Sequence, residues 1–173
     1  WVSVGLILLG STLEEMVNVL NHLGERKDVR VVIIRGKGNV FSAGHDLKEL
    51  ADGNLQEYRD IFAACMKMML LLHDLPQPVI AGVHGVATAA GCQLVAACDL
   101  AIAAEDARFA TPGVRIGFFC TTPMVPLSRA VGRKKALEML FTGEFISAQE
   151  VMRWGLVNRV VAAPELDTVI GEL

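Results

Sequence analysis

No stretch of this chain concentrates charge of one sign. Its 16 Lys+Arg and 19 Asp+Glu are spread over 173 residues for a net charge of -3, so nothing is present to track a phosphate backbone, and nucleic acid is not expected as a partner. A membrane span is missing too. The longest apolar stretch, "GVHGVATAAGCQLVAACDLAIAA", is broken by Asp99, whereas a crossing helix needs about 20 apolar residues. The opening "WVSVGLILLG" lacks the basic start of a secretory leader, and none is expected. Cysteine is sparse: Cys65, Cys92, Cys98 and Cys120 form no C-x-x-C pair. They read as buried, reduced thiols rather than metal ligands or disulfides, and no metal site is expected.

Apolar side chains, by contrast, are plentiful. They make up 53% of the chain and raise the mean hydropathy to +0.44, which implies elements buried on both faces or a surface covered by partner subunits. The length suits one domain, residues 1–173.

Residues 1–9 alternate partly and predict a first strand, and Ser11 followed by Glu14 predicts the cap of a helix running to about Leu23. "VRVVIIRG" (29–36) is a β-branched run typical of a strand buried on both sides. A glycine-rich loop leads to helical patterns from Leu47 and over 55–73, the latter with Ile61, Phe62, Cys65, Met68, Met69 and Leu72 on one face. Pro76 and Pro78 end it. Strands follow at 79–85 and 100–105, with a helix at 91–98 between them and a short strand at "RFATP"; later helices cover 136–141 and 147–154. Strands alternating with helices imply an α/β domain with crossover connections.

Two loops follow buried strands and open helices. One, Ala87-Thr88-Ala89-Ala90-Gly91-Cys92, is six small residues long, and the other, "FSAGHD" (41–46), carries Ala43 and Gly44. Small side chains let a ligand approach the backbone, and unpaired N–H groups at a helix start can hold an anion or a developing oxyanion. Tight helix-on-sheet packing explains either loop alone equally well. Two such loops could converge on one oxygen.

"VFSAGHDLKEL" (40–50), "PVIAGVHGVATAAGCQLVAACDLAIAAEDARFATPGVRIG" (78–117) and "GRKKALEMLFTGEFISAQEVMRWGLVNRVV" (132–161) together resemble the enoyl-CoA hydratase/isomerase, or crotonase, family. The resemblance is collinear over almost the whole chain. It implies an α/β crotonase (ClpP/crotonase-like) fold, a spiral built on β-β-α turns, and a site for an acyl-CoA thioester. By resemblance, the amides of His45 and Ala90 hold the thioester carbonyl. Ser42, Ala43, Asp46, Leu47 and Gly91 fall on positions around coenzyme A, with helix capping an equal reading for Asp46. Coenzyme A enters as part of the substrate, and no other cofactor is expected. A homotrimer or hexamer is implied, in bacterial cytoplasm or the mitochondrial matrix.

The chain departs from the family at the acid-base positions. Hydratases of the family carry glutamates where this chain has Gln93 and Gly113, and a further acidic position falls on Thr121. An amide can orient a water but exchanges no proton near neutral pH, and glycine has no side chain. Asp46, Glu49 and Glu144 are the remaining acids that could reach in. The imidazole of His45 titrates in the useful range, yet its backbone is the contributor the resemblance supports, and Cys92 reads as a structural thiol. Ordinary hydratase activity is therefore not expected. Decarboxylation of a malonyl-type thioester, which needs only enolate stabilisation, is one alternative, though the sole tyrosine, Tyr58, lies outside the expected loop. A non-catalytic acyl-CoA-binding module is another. The family also carries a longer loop after the first strand and helices beyond the position of Leu173 that complete the acyl pocket and the trimer. Here Gly10 runs directly into Ser11.

Overall fold

The computed structural model describes residues 2–4 and 7–173. Five strands form one parallel sheet: β1 (Val2–Val4), β2 (Val32–Gly36), β3 (Val79–Val83), β5 (Leu100–Ala104) and β8 (Arg159–Val161), in the spatial order β1-β2-β3-β5-β8. A second, smaller sheet is made by β4 (Val86–Thr88), β6 (Arg108–Ala110) and β7 (Ile146–Ser147). Of the strand expected over residues 1–9, β1 is present, while Trp1, Gly5 and Leu6 lie outside the described residues.

The apolar runs of the sequence become strands covered on both faces. Ile34, Val79, Ala81, Val83, Ala101 and Ala103 face the main core, whereas Ile33, Ile80, Ile102 and Ala104 face a second cluster with Leu166 and Ile170 of the last helix, α8 (Leu166–Gly171). Alternation with a period of two distributes one continuous apolar run between two clusters. The main core is closed by α1 (Gly10–Glu25), α3 (Leu55–Asp74), α4 (Ala90–Ala97), α5 (Thr121–Ala130), α6 (Arg133–Thr142) and α7 (Ala148–Trp154).

The segment 79–85, read as one strand, holds β3, which ends at Val83, and a second strand follows from Val86. Gly85, at φ +60, turns the chain out of the large sheet, and a side chain there would run into the Asn39 carbonyl. The chain then pairs again as β4, with β6 alongside. Each β-β-α turn of the spiral thus places its first strand in the large sheet and its second in the small one. Ser42 occupies the equivalent edge position beside Ala87 in the preceding turn.

The start of α1 corrects the capping expectation. The helix begins at Gly10, and Ser11 lies inside it with no capping role. The cap is supplied from elsewhere in the chain: the Glu49 carboxylate, on α2 (Leu47–Asp52), accepts from the Gly10 N–H at 3.2 and 3.3 Å. An acidic side chain at a helix N-terminus satisfies an orphan donor and favours the dipole, wherever in the sequence it comes from.

Candidate active site

The two loops singled out from sequence meet. Thr88 N–H donates to the Ser42 carbonyl at 2.9 Å, and the Thr88 hydroxyl donates to the Ala43 carbonyl at 3.0 Å. Ser42 N–H in turn donates to the Val86 carbonyl at 3.0 Å, so the loops are laced together strand-fashion. Leu8 fixes the other side of the first loop, its N–H donating to the Gly44 carbonyl at 2.7 Å.

Backbone conformation at the loop tips sets the direction of the amides that follow. Gly44 sits at φ +92, and Ala89 at φ 50, ψ -119 is the sole non-glycine residue with positive φ among the described residues. Such a conformation costs an L-residue on the order of 1–3 kcal/mol and persists only where neighbours hold it. Ala89 is held at both ends, its N–H donating to Ala110 and its carbonyl accepting from Gln93 N–H, each at 3.0 Å. Immediately after each of these loop tips comes a free amide. Among the described residues, neither the His45 nor the Ala90 N–H donates to a protein acceptor.

Both residues line one cavity of about 510 Å³, with Ala43, Leu47, Ala89, Gly113 and Arg115 also on its wall. The wall is overwhelmingly apolar and carries no carboxylate. Ser42 and Gly91 brace it from behind: Ser42 is wholly buried, its hydroxyl accepting from Gly44 N–H at 3.3 Å. A Cβ on Gly91 would meet the Ser42 Cβ at 2.8 Å. Asp46 caps α2, accepting from Lys48 N–H at 2.9 Å. The capping half of its double reading is therefore filled.

Gln93 and Gly113 are not brought to one wall. Gly113 lines the first cavity, whereas Gln93 lines a second, larger groove of about 950 Å³ between α3, α4 and α5. Tyr58, Phe62 and Thr122 border both spaces. Gln93 is buried and its side-chain oxygen has no protein partner. Gly113 is fixed by packing: a Cβ there would strike the Phe118 carbonyl and lie 2.8 Å from Cys120 Sγ. Of the other acids considered, Glu49 is occupied in capping α1, and neither it nor Asp46 nor Glu144 lies on the first cavity's wall. Thr121 is the first residue of α5, and its neighbour Thr122 reaches the wall instead.

The thiols are all unpaired. Burial pushes Cys65 up to about 11 and Cys92 up to about 12, and raises Cys98 and Cys120 as well. Thiols that hold their protons so far above neutrality are poor nucleophiles. Burial also lowers His45, against smaller opposing effects of the Leu8 carbonyl and Glu49.

With this geometry in view, the class is plain: residues 8–171 match the enoyl-CoA hydratase/isomerase family, and the chain belongs to it. The fold is the crotonase fold. The structure of an enoyl-CoA hydratase from Mycobacterium smegmatis superposes with a TM-score of 0.93 at 52% identity, covering 96% of this chain and 65% of that one. Within the family, the "AGHDLKEL" and "AAGCQLVA" stretches carry a likeness to the group called enoyl-CoA hydratase domain-containing protein 3. The mitochondrial mouse protein of that name is 54% identical over 147 residues, which is 84% of this chain and 49% of the mouse protein. The human protein's crystal structure has a TM-score of 0.91 at 47% identity, covering 98% of this chain and 66% of the other. The chain thus spans about half the length of its curated relatives.

Proposed function

We propose that this chain binds an acyl-CoA thioester with the carbonyl oxygen between the His45 and Ala90 amides. The observation that carries the reading is that both amides, each following a loop tip at positive φ, lack acceptors among the described residues and belong to residues on one apolar wall. Two fixed donors in a dry site stabilise the enolate-like oxygen more than the ground-state carbonyl, because they are oriented before charge develops. Ala90 opens a helix, whose N-terminal partial charge adds to the effect. Ala43 and Leu47, on the wall, and Asp46 beside them would meet the pantetheine and adenine parts of coenzyme A. The groove between α3, α4 and α5 would take the acyl chain.

The reaction this site supports is not ordinary hydration, since Gln93 and Gly113 stand at the two acid-base positions. Decarboxylation of a malonyl-type thioester is a second reading, favoured by the absence of any carboxylate on the wall and by Arg115, which could receive an anionic substrate group. A binding module without turnover is the reading from outside enzymology. Apolar side chains left exposed away from that groove, Phe141 and Phe145, support a homotrimer or hexamer. No helix among the described residues is long and apolar enough to cross a membrane, and the mitochondrial mouse relative favours a mitochondrial location over a bacterial one.

Calorimetry with crotonyl-CoA and with the corresponding thioether, which lacks the carbonyl, tests the assignment. The thioester should bind about 5- to 30-fold more tightly, the yield of one or two hydrogen bonds of about 1 kcal/mol each. Equal affinities would remove the carbonyl from between the two amides.

A further inference from the structure

We propose that the imidazole of His45, through Nε2, carries the proton in this cavity and makes the site suited to moving one proton along an acyl thioester. The inference rests on the reading of the cavity as a thioester site and adds a side-chain role to a residue so far used for its backbone.

The tautomer is set by the fold. Nδ1 lies 3.3 Å from the Leu8 carbonyl oxygen, and a carbonyl can only accept, so Nδ1 carries the hydrogen and Nε2 presents a lone pair. Leu8 is itself locked to this loop by its bond to Gly44. Nε2 is buried and has no partner among the described residues, which is uncommon for a buried nitrogen and asks for an explanation. The ring is wedged edge-on against Phe62, with centroids 5.3 Å apart and planes at 67°. Phe62 borders both the thioester cavity and the groove beyond it, so an acyl group passing between them would pass the ring.

The wall leaves no rival. Its titratable side chains are His45, Tyr58, Arg115 and Cys120, and of these types only an imidazole exchanges its proton near neutrality. Few charged groups face it among the described residues: Glu49 of α2 favours the imidazolium slightly, and Arg115 lies on the same cavity wall. Burial dominates and holds the ring neutral, the form a base needs.

The step balances without water, oxidant or reductant. Nε2 takes the proton from C2 of the thioester; the C–H electron pair becomes the enolate, its charge on the oxygen between the two amides. The imidazolium then delivers a proton either to C2, which is exchange once Nε2 has traded its hydrogen with solvent, or, as the same proton, to C4 of a 3-enoyl thioester, which shifts the double bond into conjugation. Hydration would demand proton management at a water as well, for which the wall offers no second group.

The experiment incubates the protein with butyryl-CoA in D₂O and follows deuterium entry at C2 by NMR, with 3-hexenoyl-CoA isomerisation as a parallel assay. Wild type should exchange, with a rate that rises with pH and levels off above an apparent pKa below the ordinary imidazole value of about 6.5. His45→Gln keeps the backbone amide and should lower exchange by about 10² to 10⁴ while thioester affinity stays within a few-fold. His45→Asn and a thermal melt of each variant guard against misfolding. Exchange unchanged in a folded His45→Gln, or no exchange by a wild type that binds the thioester, overturns the imidazole's role and leaves the binding site standing. Failure to bind the thioester overturns the site and this inference together.

Discussion

Gly44 rests against the strained tip of the opposite loop: a methyl group on it would sit 3.0 Å from the Ala89 Cβ and 3.2 Å from the Ala90 nitrogen. The first loop therefore bears on the second loop's amide directly, and this contact between small residues adds to the hydrogen bonds from Thr88 that lace the two loops together.

Gly44→Ala should break that contact. The site has φ +92, which an L-residue resists, and the added methyl pushes on Ala89 and the Ala90 amide. Stability should fall by about 1–3 kcal/mol, read by urea titration. Thioester affinity should fall further than the global loss explains, measured in conditions where the variant is still folded.

Ala89→Gly should do the opposite. A glycine in place of alanine near a helix start ordinarily costs about 0.5–1 kcal/mol, but at φ 50, ψ -119 the alanine already bears strain that glycine does not. The variant should be as stable as wild type or more so, while Ala97→Gly, in the same helix with ordinary geometry, should lose stability. Equal losses at both positions would mean that Ala89 is not strained.

The sequence made both loops visible because each announces itself by small residues after a β-branched run, and the collinear resemblance tied them together. Periodicity also located β1, β2, β3 and β5 of the large sheet, though not β8, and "RFATP" gave β6 of the smaller one. It missed β4 and β7, because strands of two or three residues carry too little alternation to read and Gly85 looked like the end of a strand rather than a corner. It missed α5, because Pro123 and Pro126 argue against a helix; yet Pro123 falls in the first turn, where no N–H is needed, and only Pro126 lies deeper. The cap of α1 was misread since Glu49, its real partner, is 39 residues away. Long-range hydrogen bonds leave no local signature.

Acid should weaken the fold through His45. Its neutral form is favoured in the folded state by burial, while in the unfolded chain an imidazole protonates near 6.5. The folded pKa is the lower one, so this contribution is fully present above about 6.5 and is lost as pH falls below it, where the unfolded chain binds the extra proton. Midpoints of urea unfolding between pH 8 and 5 should decline for wild type, and the decline should be shallower in His45→Gln. Parallel curves would show that His45 does not supply the effect.

Crotonyl-CoA should be hydrated far more slowly here than by a hydratase with both glutamates. Each missing acid-base group is worth about 10² to 10⁴ in rate, and neither Gln93 nor Gly113 exchanges a proton. Restoring the pair is not symmetrical, however. Gln93→Glu fits a side chain already housed, although burial without a partner for Oε1 should hold the new carboxyl protonated more readily than a solvated one. Gly113→Glu must displace the Phe118 carbonyl and Cys120 Sγ, which press on the bare Cα. Gly113→Ala alone should therefore destabilise the protein, by about 1–3 kcal/mol for an overpacked site, and the double glutamate variant should fail to reach hydratase rates for reasons of packing. Stopped assays of crotonyl-CoA absorbance, run with melts of each variant, separate the two causes. A fully stable Gly113→Glu with Gln93→Glu that hydrates rapidly would show that the loop at Phe118 gives way, and that a missing pair of carboxylates is all that distinguishes this site from a working hydratase.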